Sequence, residues 1–193
     1  GPPGTGKTTA AAIIAEMSGM PIVRLNATTA SSSDIKDAMQ RTSSVFASGG
    51  LLLYLDEIQY FNRRQQQSLL EYVEDGRVTL IAATTENPYH YIYSSLLSRC
   101  AVFEFKPVSP SDMLPALRRA FEYIKNAIGK EITVTDETLL AFGVAAAGDV
   151  RHGITLIETA IYTSDGEITT DTLHKLAPSS IGAYDTSGDV HYN

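Results

Sequence analysis

The chain has 193 residues, 44% hydrophobic and 19% charged, enough for one large domain or two small ones with a real core. No apolar run approaches the roughly 18 residues needed to span a bilayer, and Cys100 is the only cysteine. No membrane association, no intrachain disulfide and a reducing, cytoplasmic compartment are therefore expected, although a start on Gly1 could not display a signal peptide. The formal net charge of −7 argues against nucleic-acid binding through broad phosphate contact, so any such contact must be local or lie outside these residues.

The chain opens on "GPPGTGKTT", Gly1 to Thr9. Gly1, Gly6, Lys7 and Thr8 fill the pattern G-x-x-x-x-G-K-[ST], with Pro2, Pro3, Gly4, Thr5 and Thr9 completing the stretch. In such a loop the glycines let backbone N–H groups curl around phosphate oxygens, and the following helix adds its positive dipole end. The lysine reaches the β- and γ-phosphates and the Thr8 hydroxyl coordinates Mg²⁺, so ATP with Mg²⁺ is the expected ligand. A dinucleotide fingerprint fits less well, because after Gly4-Thr5-Gly6 the third glycine position is Thr9.

"KTTAAAIIAEMSG" is Ala-rich and helix-prone, with Gly19 suited to its C-terminal cap. "PIVRLNA" is a short β-like run. Ser caps, a helical middle and a Gly49-Gly50 stop mark a second helix. "LLLYLDE", 51–57, is a continuous apolar run ending in two acids, the pattern of a strand buried on both faces. Adjacent strand residues point to opposite sides, so Asp56 and Glu57 can do different work. Asp56 is placed to hold Mg²⁺ through water and Glu57 to polarise the water that attacks the γ-phosphorus; without the loop upstream, the pair would read as a solvated strand end.

A polar-capped helix is expected over 62–76, then a buried strand in "RVTLIAATTENP" that brings Thr84 and Thr85 toward the crevice facing Asp56. "NPYHYIYSS" suggests base stacking or, more simply, a loop packed on the sheet. "SSLLSRC" is a short helix carrying Arg99, and "AVFEF" a further strand. Four strands result, at 21–26, 51–55, 78–84 and 101–105; alternating with helices they imply an α/β fold with a parallel sheet covered on both faces.

From 107 the pattern is helical only. Ser109-Pro110-Ser111-Asp112 is a helix start, and Pro115 fits only near the first turn. Helices over 135–148 and 149–162 are separated by Gly148, the second with a stripe of Ile154, Ile157 and Ile161. Arg151 in "GDVRHG" lies in a helix's first turn, a poor place for a cation unless a phosphate is near. "TTDTLHKLA" is a last short helix, and the polar tail reads as a linker. The expected organisation is an ATPase core at 1–106, a helical lid at 107–177 and a linker at 178–193. His90, His152, His174 and His191 make no metal spacing.

Taken in order, "GPPGTGKT", "LLLYLDE", "AATTENP", "LLSRC" and "GDVRHG" resemble the Walker A, Walker B, sensor 1, arginine-finger and sensor 2 motifs of AAA+ P-loop ATPases. Within that group, "DEIQYFNRRQQQSLLEYVEDGRVTLIAATTENP" and "YDTSGDVHYN" resemble the replication-associated recombination protein A family and its relative, Werner helicase-interacting protein. The resemblance implies that Gly1–Thr9 bind ATP, Lys7 and Thr8 taking phosphate and Mg²⁺. It gives Asp56 to Mg²⁺, Glu57 as base, Thr85 as sensor 1 with Thr84 as fallback, Arg99 as a finger entering a neighbour's site, and Arg151 as sensor 2. Asn26 resembles a polar switch residue that restrains the catalytic Glu. Gln59, where the family often has His, departs from the pattern at a position not expected to belong to the phosphate machinery.

The resemblance further implies a DNA-dependent ATPase active in replication-fork maintenance, recombination and DNA repair, close to the nucleoid. Its implied partners are forks, DNA ends or single-strand gaps, single-stranded-DNA-binding protein, and copies of itself. A clamp-loader-type subunit and an ATP-binding scaffold with little turnover are the alternatives. Sheets of this family resemble one another in strand order 5-1-4-3-2, so the four strands would be the second to fifth. A central strand before Gly1 is then expected, and direct pairing of 78–84 with 101–105 would contradict it.

Overall fold

The computed structural model describes residues 1–45 and 50–178. Gly49 and the expected linker from 179 onward lie outside the described residues. These fall into two compact units: Gly1 with Gly6–Phe105, and Pro2–Thr5 with the chain from Lys106. No helix among the described residues is long and apolar enough to cross a membrane.

In the first unit, helices α1 (Lys7–Ser18), α2 (Ser32–Val45), α3 (Arg63–Glu74), α4 (Pro88–Tyr91) and α5 (Ser94–Leu97) alternate with strands β1 (Ile22–Asn26), β2 (Leu51–Asp56) and β3 (Val78–Ala82). The strands form a parallel sheet in the order β1-β2-β3. Asn26 is level with Asp56, and Leu55 with Ala82. Central β2 is buried from Leu51 to Leu55, as an apolar run between two helical layers should be. Leu53 and Leu55 pack on one face with Ile35, Ile58, Phe61, Leu69 and Leu96. Leu52 and Tyr54 pack on the other with Ala11, Ala15 and Ala83, where the small α1 residues let the helix approach closely. A reciprocal Asn62–Gln65 capping box starts α3.

The fourth expected strand is corrected. Ala101–Phe105 has no place in the sheet, and 101–104 are exposed, Phe103 at 80%. A strand exists through its ladder bonds, and β-propensity without a partner does not make one. The segment is not paired with β3. Instead Gly1 lies between the two, its backbone nitrogen donating to the Thr84 carbonyl at 3.1 Å. A Cβ on Gly1 would sit 2.3 Å from the Phe105 carbonyl oxygen.

In the second unit, α6 (Pro110–Ile128), α7 (Asp136–Ala145), α8 (Val150–Thr163) and α9 (Thr170–Leu176) enclose Met113, Leu117, Phe121, Leu139, Phe142, Ile157, Ala160 and Ile161. It is not purely helical: β4 (Ile132–Val134) and β5 (Gly166–Ile168) form a parallel two-stranded ladder. Three-residue strands are too short to show a period in sequence. Pro115 lies inside α6, past the first turn; the carbonyl it leaves without a partner belongs to exposed Ser111, where water can reach it. The Ile stripe of α8 holds in part, Ile157 and Ile161 being buried and Ile154 half-buried. Gly148 takes φ +87°, which turns the chain between α7 and α8.

Candidate functional site

The phosphate loop leads directly into α1. Gly6, at the helix N-terminal cap, has φ 92° and offers no capping side chain, and the first turn holds no acid. The first N–H groups of α1 therefore meet no competing anion from the helix itself. Lys7 curls back so that its ammonium donates to the Gly1 carbonyl at 2.8 Å. The Thr5 hydroxyl closes the loop on the Pro2 carbonyl at 2.9 Å, with Pro2 and Pro3 exposed. Thr8 and Thr9 are exposed on the first turn of α1.

Thr8 is joined to β2 through Tyr54, which carries no expected site role. The Thr8 hydroxyl meets the Tyr54 hydroxyl at 3.0 Å. Tyr54 precedes Asp56 by two on the strand, so both face the same side. Burial holds the Tyr54 phenol above its ordinary range; the Thr8 bond opposes this, while the Asp56 and Glu57 carboxylates add to it. The phenol therefore stays protonated, a donor between Thr8 and Asp56. The signal was present in "LLLYLD": the one polar tip in the apolar run falls on the face of the acid.

This donor set fits Mg²⁺. Thr8 and Asp56 offer hard oxygens, and no cluster of three or more His, Cys, Asp or Glu exists among the described residues. Mg²⁺ is commonly held by one or two carboxylates plus substrate phosphates, without an all-protein cage.

Glu57 opens a short 3₁₀ turn, Ile58–Tyr60, with φ 53°, a left-handed conformation rare outside glycine. Buried Ile58 anchors the turn, and its N–H donates to Ala83 at the end of β3. The Gln59 amide nitrogen donates to Glu57 Oε2 at 2.5 Å, and the Thr85 hydroxyl reaches the same oxygen at 3.3 Å. The Thr84 hydroxyl donates to Gln59 Oε1 at 2.6 Å. Thr84, Thr85 and Glu57 are thus brought together, and Gln59 joins them. Gln59, not expected to belong to the phosphate machinery, is bonded to Glu57 and Thr84 because a 3₁₀ turn aims residue 59 back at the end of β3, which a continued strand would not do.

Among the described residues, Asn26 makes no side-chain hydrogen bond to Glu57. Its side-chain oxygen accepts from the Thr28 backbone nitrogen at 2.9 Å and the Thr28 hydroxyl at 2.6 Å, a local turn. Arg99, exposed after α5, pairs with Glu74 and donates to the Ser95 carbonyl at 2.8 Å. The aromatic loop is packed on α3 by buried Gln66, which donates to the Phe61 and Tyr91 carbonyls and accepts from the Tyr93 N–H.

In the second unit, Arg151 is exposed on the first turn of α8. Asp149 caps that helix by accepting from the His152 N–H at 3.0 Å, and the Val150 N–H donates to the Gly4 carbonyl at 3.2 Å. Gly4 has φ 65°, and a Cβ there would fall 1.7 Å from an Asp149 carboxylate oxygen.

Residues 1–108 match the family model described as ATPase family associated with various cellular activities (AAA). The chain belongs to the AAA ATPase family. It is 34% identical over its whole length to replication-associated recombination protein A of Bacillus subtilis and 33% identical to that of Escherichia coli K12, spanning 47% and 45% of those proteins. It is 33% identical to ATPase WRNIP1 of Dictyostelium discoideum over 88% of this chain and 19% of that protein. The chain thus spans less than half the length of these relatives. The resemblance read from the motifs is borne out by these names. Among solved structures, the Thermotoga maritima RuvB Holliday junction branch migration motor superposes with a TM-score of 0.72 at 25% identity, over 95% of this chain and 59% of that one. The P-loop α/β fold class is borne out with it.

Proposed function

We propose that this protein is a DNA-dependent ATPase that converts ATP and water to ADP and phosphate in replication-fork maintenance, recombination and DNA repair. The observation that carries the reading is the grouping, at the carboxyl ends of β2 and β3, of the Thr8–Tyr54 contact beside Asp56 with Glu57, Thr84 and Thr85. Ligands of open parallel sheets sit at that end.

The chemistry follows from the donors. The α1 N-terminus and Lys7 take the phosphates, and Thr8 and Asp56 hold Mg²⁺. When bound, Mg²⁺ neutralises charge developing on the β- and γ-phosphate oxygens. Glu57 takes a proton from the attacking water, which Thr84 and Thr85 orient. Arg99 serves a neighbouring copy and Arg151 contacts phosphate as sensor 2. The names of the relatives support a role at replication and recombination intermediates. The partners that belong to this reading are forked, ended or gapped DNA, single-stranded-DNA-binding protein and further copies of the chain, in the cytoplasm.

The test is ATP turnover with and without forked DNA. Wild-type protein is expected to turn over ATP faster with the fork, Lys7→Ala to lose binding, and Glu57→Gln to bind ATP without turnover. Wild-type protein that binds ATP and never hydrolyses it, fork or no fork, supports a scaffold instead.

A further inference from the structure

One amide ties the side chains of Glu57, Thr84 and Thr85 to each other. Gln59 donates through Nε2 to Glu57 Oε2 at 2.5 Å and lies 3.4 Å from the Thr85 hydroxyl, while its Oε1 accepts from the Thr84 hydroxyl at 2.6 Å. The orientation of this amide is forced. An ionised carboxylate only accepts, so the NH₂ must face Glu57 and the carbonyl must face Thr84. Both bonds to the Glu57 carboxylate end on Oε2. Among the described residues none ends on Oε1, the oxygen left to take a proton from water.

Packing alone does not account for Gln59. Fully buried Ile58 and its bond to Ala83 already fix the turn, and Gln59 is only half-buried. Among the described residues, every hydrogen bond its side chain makes goes to Glu57, Thr84 or Thr85. Glu57 also holds a left-handed backbone that a non-glycine residue adopts only under constraint.

We propose that Gln59 is a positioning residue for hydrolysis: its amide links the Thr84 hydroxyl to Glu57 Oε2 and so aims Glu57 Oε1 at the attacking water. The proposal rests on the ATPase reading. A displacement of the turn bearing Thr84 and Thr85 is passed through this amide to the base, which couples the end of β3 to the chemical step. The residue type follows from the geometry: position 59 needs one donor and one acceptor on a single planar group. A neutral imidazole also supplies both.

The test compares Gln59→Met, which keeps the length and loses both polar atoms, with Gln59→His, which restores a donor and an acceptor. Gln59→Met is expected to lower kcat by about tenfold or more with KM for ATP and thermal midpoint close to wild type, as misplacement of a catalytic group does. Gln59→His is expected to recover most of kcat. In a double-mutant cycle with Thr84→Val, the losses in kcat are expected not to add, because both changes break the same link. Unchanged kcat in Gln59→Met, or fully additive losses in the cycle, overturns the proposal while wild-type turnover leaves the ATPase reading standing. Gln59→Met that loses kcat only in proportion to its folded fraction also overturns it. Absence of wild-type turnover with ATP binding intact overturns both.

Discussion

Replacing the Tyr54 hydroxyl by hydrogen leaves the ring in its packing and removes the phenol's contacts to Thr8 and Asp56. Tyr54→Phe is therefore expected to change stability by no more than about 1 kcal/mol, while the Mg²⁺ concentration for half-maximal ATP binding rises about tenfold, the usual scale for losing a group that orients metal ligands. Titrating ATP affinity against Mg²⁺ checks this. The raised phenol pKa gives a second readout. Between the unfolded value and the higher folded one, the unfolded chain holds fewer protons than the native state, so stability falls as pH rises through that window. Below about pH 10 the contribution is whole. Denaturation midpoints of wild type minus Tyr54→Phe are expected to be flat up to about pH 10 and to decline above it. Gly4 makes a different demand. Gly4→Ala meets both the left-handed backbone, about 1–2 kcal/mol, and the Asp149 carboxylate, whose displacement from the α8 cap costs about 1 kcal/mol more. Urea unfolding is expected to show the sum for Gly4→Ala and only the capping part for Asp149→Ala.

Strand β2 is the element on which the site depends, because it brings Tyr54 and Asp56 to one end of the sheet while Leu53 and Leu55 fill the opposite face. Leu53 is fully buried at the strand centre, so Leu53→Ala is expected to cost about 2–5 kcal/mol in denaturant unfolding through the lost contacts and the cavity left behind. Such a long apolar run is legible from sequence because burial on both faces leaves few other choices. The same holds for the phosphate loop, the acids after β2 and the capped α3, each of which is decided by neighbouring residues. Less legible were features decided at a distance. Residues 101–105 have strand composition, yet strand formation needs a partner. Strands β4 and β5 have a partner but only three residues each. Gln59 is visible in sequence only as a departure from the family pattern; its bonds to Glu57 and Thr84 depend on a left-handed Glu57 and a 3₁₀ turn that aim it at the end of β3, and neither shows in residue type. Asn26 stands out by its place at the end of the first strand, but Thr28, two residues on, captures its side chain.

At the scale of the whole molecule, the question is whether one chain holds a complete hydrolytic site. Within the chain, the Arg99 guanidinium is bonded to Glu74 and to the Ser95 and Ser98 oxygens, not to Glu57, Thr84 or Thr85. The Arg99 and Glu74 side chains are 42% and 40% exposed, and an ion pair so open to water is worth no more than about 1 kcal/mol. Arg99 is thus held loosely and can be drawn away at little cost by a stronger anion, such as the phosphates bound to a neighbouring copy. Glu74→Ala is expected to leave the unfolding midpoint nearly unchanged and turnover intact. Arg99→Ala is expected to bind ATP as wild type does and to lose turnover by about a thousandfold, the lower end of what a phosphate-directed arginine supplies. If the arginine acts between copies, Glu57→Gln and Arg99→Ala proteins are each inactive for a different reason. Mixed, they place an intact Arg99 from one copy against an intact Glu57 in the other. Titrating one variant into the other is then expected to restore a fraction of wild-type rate that peaks at intermediate ratios. A mixture that stays at the sum of its parts, or an Arg99→Ala protein that turns over fully as a monomer, would instead place the whole reaction within a single chain.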